Sequence, residues 1–145
     1  MSKVDKILVY LADDDFDDRE LFVDALSELP LSTEIVQFSN GIELMDCLFT
    51  NKTLPHIIFL DLFMPYMDGF DCLLDIRNFT KFKNIKIVVY SSVFQEREVR
   101  QLREDGANGY IQKPNSYIVL KNLIYKAIHS LSSQPNESSH FEILI

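Results

Sequence analysis

Three aspartates stand where an open α/β sheet does its chemistry. Asp13 and Asp14 follow directly on the apolar run Ile7-Leu8-Val9-Tyr10-Leu11-Ala12, and Asp61 follows Ile57-Ile58-Phe59-Leu60. Unbroken apolar runs of this length are expected of parallel strands covered on both faces. Ligands of such sheets bind beyond the carboxyl ends of the strands, where strand order reverses. With the two runs as neighbouring strands, the three carboxylates converge in one crevice. They repel one another and cannot all stay ionised without a compensating cation. Hard oxygen donors with room for water favour Mg²⁺ over Zn²⁺. Metal-assisted phosphoryl chemistry is the expectation. Asp15, Asp17 and Asp18, a few residues on, read instead as a helix cap and a solvated first turn that complements the helix dipole.

The elements that must position these residues alternate along the chain. After the first strand, Leu21, Phe22, Ala25, Leu26 and Leu29 form a helical stripe that stops at Pro30. A short second strand ends at Phe38, and a helix carrying Ile42, Leu44, Met45 and Leu48 follows Ser39-Asn40-Gly41. The third strand leads through a loop with Pro65 and Asp68-Gly69 into a helix with Phe70, Leu73, Leu74 and Ile76. A fourth strand ends near Tyr90, and a polar helix with a thin stripe of Val99 and Leu102 stops at Gly106. Tyr110-Ile111 is a brief fifth strand, and Leu120, Leu123, Ile124, Ala127 and Leu131 line a last helix. The pattern predicts an α/β, doubly wound, five-stranded parallel sheet with right-handed crossovers and helices on both faces. The order expected is flavodoxin-like, 2-1-3-4-5. Residues 1–131 form the domain. Residues 132–145 are a polar tail of disordered composition, ending in the apolar Phe141-Glu142-Ile143-Leu144-Ile145. That tail is too short for a DNA-binding output domain.

Composition narrows the class. The 145 residues carry 22 Asp and Glu against 14 Lys and Arg, a net charge of −8, which argues against nucleic acid or an anionic membrane as partner. Cys47 and Cys72 lack metal-ligand spacing and read as reduced core residues, and His56, His129 and His140 are scattered. No apolar run approaches a membrane span or a signal peptide. A cytoplasmic location is expected.

The segment Asp61-Leu62-Phe63-Met64-Pro65-Tyr66-Met67-Asp68-Gly69 resembles the D-x-x-M-P-x-M-D-G loop of the receiver domains of two-component response regulators. Asp13-Asp14, Ser91, Tyr110 and Lys113-Pro114 fall in the same order as the family's other signatures, over about residues 5–130. The form is that of a stand-alone, single-domain regulator similar to the chemotaxis type. The resemblance implies that Asp61 accepts a phosphoryl group from a histidine kinase or phosphotransfer protein. Asp14, Asp61 and the main-chain carbonyl of Phe63 would ligate Mg²⁺, with Asp13 holding a metal-bound water. Ser91 and Lys113 would attend the phosphoryl oxygens. Ser91 and Tyr110 would form the switch that changes the helix 4–strand 5–helix 5 face toward a downstream protein. The protein would be a monomer or a phosphorylation-dependent dimer. It would catalyse only its own phosphorylation and dephosphorylation, and so would not be an enzyme acting on other substrates.

Phe63 and Val93 flank this site with apolar side chains that cannot orient an attacking water, so slow self-dephosphorylation is expected. Three rival readings carry less. A receiver-like module without phosphorylation would not need the full polar set that is present. A haloacid-dehalogenase-type phosphatase would use Asp13 as nucleophile in Asp13-Asp14-Asp15, but Asp17 stands where a small hydroxyl residue is usual, and the chain is short. A flavin carrier would place hydroxyls and amides where Asp13–Asp18 would repel a phosphate.

Overall fold

A computed structural model describes residues 6–132 and 141–144. In chain order the elements are β1 (Ile7–Ala12), α1 (Phe16–Ser27), β2 (Thr33–Phe38), α2 (Gly41–Thr50), β3 (Ile57–Leu60) and α3 (Gly69–Arg77). A 3₁₀ turn (Thr80–Phe82), β4 (Lys86–Ser91), α4 (Glu96–Glu104), β5 (Gly109–Gln112) and α5 (Tyr117–His129) follow. A second 3₁₀ turn (Ser130–Ser132) and β6 (Glu142–Leu144) complete the set.

The sheet is parallel throughout, in the order β2-β1-β3-β4-β5-β6. Alternate residues of each inner strand enter two separate cores, which is why these strands read as unbroken apolar runs. Tyr10, Ala12, Ile58, Leu60, Ile87 and Val89 face the layer of α2, α3 and α4. Val9, Leu11, Ile57, Phe59, Val88 and Tyr90 face α1 and α5. Burying a face of this kind stabilises by about 25 cal/mol for each Å² of apolar surface removed from water. Phe22 of α1 illustrates the fit: it is fully buried and meets the Phe59 and Tyr90 rings edge-on at 4.8 and 5.5 Å.

The sheet has six strands, one more than the sequence pattern suggests. β6 pairs with β5 in parallel, Tyr110 opposite Ile143 and Ile111 opposite Leu144. Phe141 packs on the α4 side, where the Arg103 guanidinium lies 5.7 Å from its ring, and Leu144 packs on the α5 side. The apolar terminus therefore has a place in the domain, as a cover for the open edge of β5. Residues 133–140 and Ile145, the rest of the expected tail, lie outside the described residues. Arg77 ties α3 to the segments that lead into β4 and β5, donating to the carbonyls of Gly106, Phe82 and Ile85 and to Asn108 Oδ1.

Candidate functional site

Strand register brings the acids together. Ala12 and Leu60, the last residues of β1 and β3, are direct partners. The backbone N–H of Asp61 donates to the Ala12 carbonyl (2.9 Å), and that of Asp13 to Phe38 (3.0 Å). Asp13 and Asp61 thus leave neighbouring strands side by side. Carboxylate oxygens of Asp13, Asp14 and Asp61 lie within 4.8 Å of one another, with Asp13 and Asp61 buried and Asp14 exposed. Leu62 N–H donates to Asp61 Oδ1 at 2.8 Å. Gly69 allows the loop to close on this strand end: a Cβ there would stand 2.2 Å from the Asp61 carbonyl oxygen. Asp68 caps α3 by accepting from Asp71 N–H (2.9 Å).

The other half comes from β4 and β5, whose ends Ser91 and Gln112 are paired. Lys113 N–H donates to the Ser91 carbonyl (2.8 Å), which sets the lysine over the crevice. Its Nζ lies 2.8 Å from Asp13 Oδ2, 2.9 Å from Asp18 Oδ2 and 3.6 Å from Asp61 Oδ2. Ser91 is fully buried, and its Oγ accepts from Val93 N–H (3.3 Å). Tyr110 is buried too. Its hydroxyl donates to the Val93 carbonyl, and its ring meets Phe94 edge-on at 5.6 Å. The ring is thus turned inward, toward the Ser91 side of the sheet.

Burial pushes the Asp61 carboxyl up to about 7, and the Asp13 charge pushes the same way, against the opposing pull of Lys113. Burial alone would lower the Lys113 ammonium, but its carboxylate neighbours outweigh that and raise it. Three carboxylates thus share one ammonium.

These observations test whether a divalent cation fits. The donors are all hard oxygens, and the carboxylates of Asp13, Asp14 and Asp61 crowd together while the Lys113 ammonium sits 2.8 Å from Asp13 and only 3.6 Å from Asp61. Clustered, partly buried carboxylates are costly unless further positive charge meets them. The residues fit a small oxygen-seeking ion.

Of the residues singled out in the sequence, Asp13, Asp14, Asp61 and Lys113 meet in the crevice, and Ser91 and Tyr110 stand at its β4–β5 side. Phe63 sits at the mouth with an exposed ring 6.1 Å from that of Phe70. Asp18 is the residue the sequence reading misplaced. It is not merely part of a solvated first turn, because its carboxylate reaches Lys113, 95 positions away. The Asp13–Asp18 run offered no spacing signal that separates Asp18 from Asp17.

A doubly wound parallel sheet with an acid triad and a lysine at its switch point defines a domain suited to phosphoryl groups. The profile of the response regulator receiver domain matches residues 9–125, and the chain belongs to that family. It is 30% identical over 116 residues to the chemotaxis protein CheY1 of Helicobacter pylori, covering 80% of this chain and 90% of CheY1. It is 29% identical over 121 residues to the sensor histidine kinase CheAY of the same species, matching 83% of this chain but spanning only 15% of CheAY. The Mn²⁺-bound form of response regulator Rcp1 superposes with a TM-score of 0.76 at 25% identity, covering 88% of this chain and 96% of Rcp1. Receiver domains of this family take phosphoryl groups from histidine kinases and act on downstream targets. Among the described residues, no helix is long and apolar enough to cross a membrane.

Proposed function

We propose that the protein is a single-domain response regulator that accepts a phosphoryl group on Asp61, in a Mg²⁺-dependent reaction, from a histidine kinase or phosphotransfer protein. The observation that carries this is the convergence on Asp61 of two further carboxylates and the Lys113 ammonium. Asp14, Asp61 and the Phe63 carbonyl would hold Mg²⁺, with Asp13 ordering a water on it. The bound ion would supply positive charge against the transferring phosphoryl oxygens, without which a carboxylate attacks an anionic donor poorly.

The chain's own residues do the rest. An Asp61 oxygen attacks phosphorus as the donor's N–P bond breaks, and the electron pair leaves with the donor imidazole. The product is an acyl phosphate on Asp61. Lys113 neutralises charge on the transferred group, and Ser91 donates a hydrogen bond to it. Hydrolysis by water later restores the carboxylate and releases inorganic phosphate. The protein acts on no other substrate. Tyr110 couples the site to the α4–β5–α5 face, where a downstream protein is recognised. Its inward ring and its place in β5, between Val89 of β4 and the α4–β5–α5 face, support this coupling.

The test is incubation with Mg²⁺ and acetyl phosphate, followed by intact mass. One added phosphoryl group is expected on the wild type and none on Asp61→Asn. No addition to the wild type, or equal addition to both, refutes the proposal.

A further inference from the structure

Lys113 faces three carboxylates and pairs closely with two of them. Asp13 Oδ2 lies closest, at 2.8 Å. Asp61 Oδ2, at 3.6 Å, is too distant for a hydrogen bond. The second close partner is Asp18 Oδ2, which accepts from the ammonium at 2.9 Å.

Local helix chemistry explains why Asp18 is available. It is the third residue after the N-cap Asp15, the position whose side chain ordinarily reaches back to the N-cap N–H. Here Asp13 Oδ1 already accepts from that N–H (3.0 Å). Asp15 Oδ1 in turn accepts from Asp18 N–H (2.9 Å), fixing the first turn. Arg19 Nη1 donates to the Asp13 carbonyl (2.7 Å) and holds the turn against the strand end. The Asp18 carboxylate is thereby released from capping and aimed across the crevice. The Lys113 side chain is 13% exposed and that of Asp18 35%, so solvent screens this pair only in part.

We propose that Asp18 is a positioning residue for Lys113. Together with Asp13, its carboxylate holds the ammonium off Asp61 in the unphosphorylated protein, and it gives the ammonium up when Asp61 is modified. This deepens the reading of Asp61 as phosphoacceptor and rests on it. A phosphoryl group adds charge and acceptor oxygens on the Asp61 side of Lys113, and the ammonium moves to them. Asp18 is left without its partner on the first turn of α1. Phosphorylation is thus read at α1 as well as through Tyr110.

Asp17 supplies the control: it lies one residue away, is exposed, and carries the same charge. Asp18→Asn and Asp17→Asn are compared with wild type for the initial phosphorylation rate at saturating acetyl phosphate and Mg²⁺. The Lys113 ammonium resonance is followed by ¹⁵N NMR in the unphosphorylated proteins. Asp18→Asn should raise the saturating rate about three- to five-fold, the size expected of a half-exposed ion pair, and should shift the Lys113 resonance. Asp18→Glu should restore wild-type behaviour. Asp17→Asn should affect only the dependence on donor concentration, through the lost repulsion of an anionic donor. A saturating rate in Asp18→Asn that is unchanged, slower or matched by Asp17→Asn overturns the proposal, as does an unmoved Lys113 resonance. If the wild type takes up no phosphoryl group, the reading of Asp61 fails, while the resonance still decides whether Asp18 holds Lys113.

Discussion

Replacing Asp61 by Asn is expected to stabilise the metal-free protein, and to do so only above the acid range. The Asp61 carboxyl titrates at about 7 in the fold, against 3.8 for the free group, chiefly because burial and the Asp13 charge oppose its ionisation. A folded-state value raised above the unfolded one means that the folded protein binds the extra proton. The contribution to stability is then full below about pH 4, is lost as pH rises toward 7, and stays lost above it. At about 1.4 kcal/mol per pKa unit, the loss has a ceiling of about 4 kcal/mol. Asn is isosteric and can still accept from Leu62 N–H, but it gives up the attraction of Lys113 at 3.6 Å. A gain of about 2 kcal/mol at pH 8 is therefore expected, or roughly 6 °C in Tm for a domain of this size. The assay is thermal unfolding of wild type and Asp61→Asn in EDTA from pH 4.5 to 8.5. The two curves should converge toward the acid end, and Mg²⁺ should narrow the gap at pH 8 by compensating the carboxylates. A gain equal at both ends of the range, or no gain at pH 8, refutes the electrostatic account of the crevice.

Phe63 and Val93 are both exposed beside the site and can orient no water. Phe63→Asn should shorten the acyl-phosphate half-life on the order of ten-fold by admitting a hydrogen-bonded water, measured as loss of the phosphorylated mass after donor removal. Tyr66 has φ +69° and sits in a three-residue turn closed by Met67 N–H on the Pro65 carbonyl. Tyr66→Gly should raise stability by about 1 kcal/mol in urea unfolding, because glycine adopts that conformation without strain. Leu144→Asp should put a charge against the α5-side core, destabilise the domain by about 2 kcal/mol and speed amide exchange across Gly109–Gln112 as β6 leaves the β5 edge.

Much of the sheet was legible because each inner strand is apolar on both faces, as a strand between two helical layers must be. The acids directly after Ala12 and Leu60 were legible for a related reason: polar residues that interrupt such runs at their ends fall at the mouth of the sheet. β6 was not legible. Three residues beyond a polar stretch have no periodicity to read, and only the open edge of β5, with Phe141 and Leu144 finding opposite cores, makes them a strand. Arg77 reads in sequence as a cation at a helix end, yet in the fold it is a half-buried clamp on three carbonyls and Asn108 Oδ1.

The sequence by itself determined the alternation of elements, the strand ends that carry Asp13, Asp14 and Asp61, and the family's loop around Asp61. Tertiary structure alone decided that Asp18 reaches Lys113 and where the apolar terminus goes. The reason is physical. Strand and helix periodicity are encoded over a few neighbouring residues, whereas a hydrogen bond across 95 positions depends on how the α1 first turn is capped and where β5 ends in space.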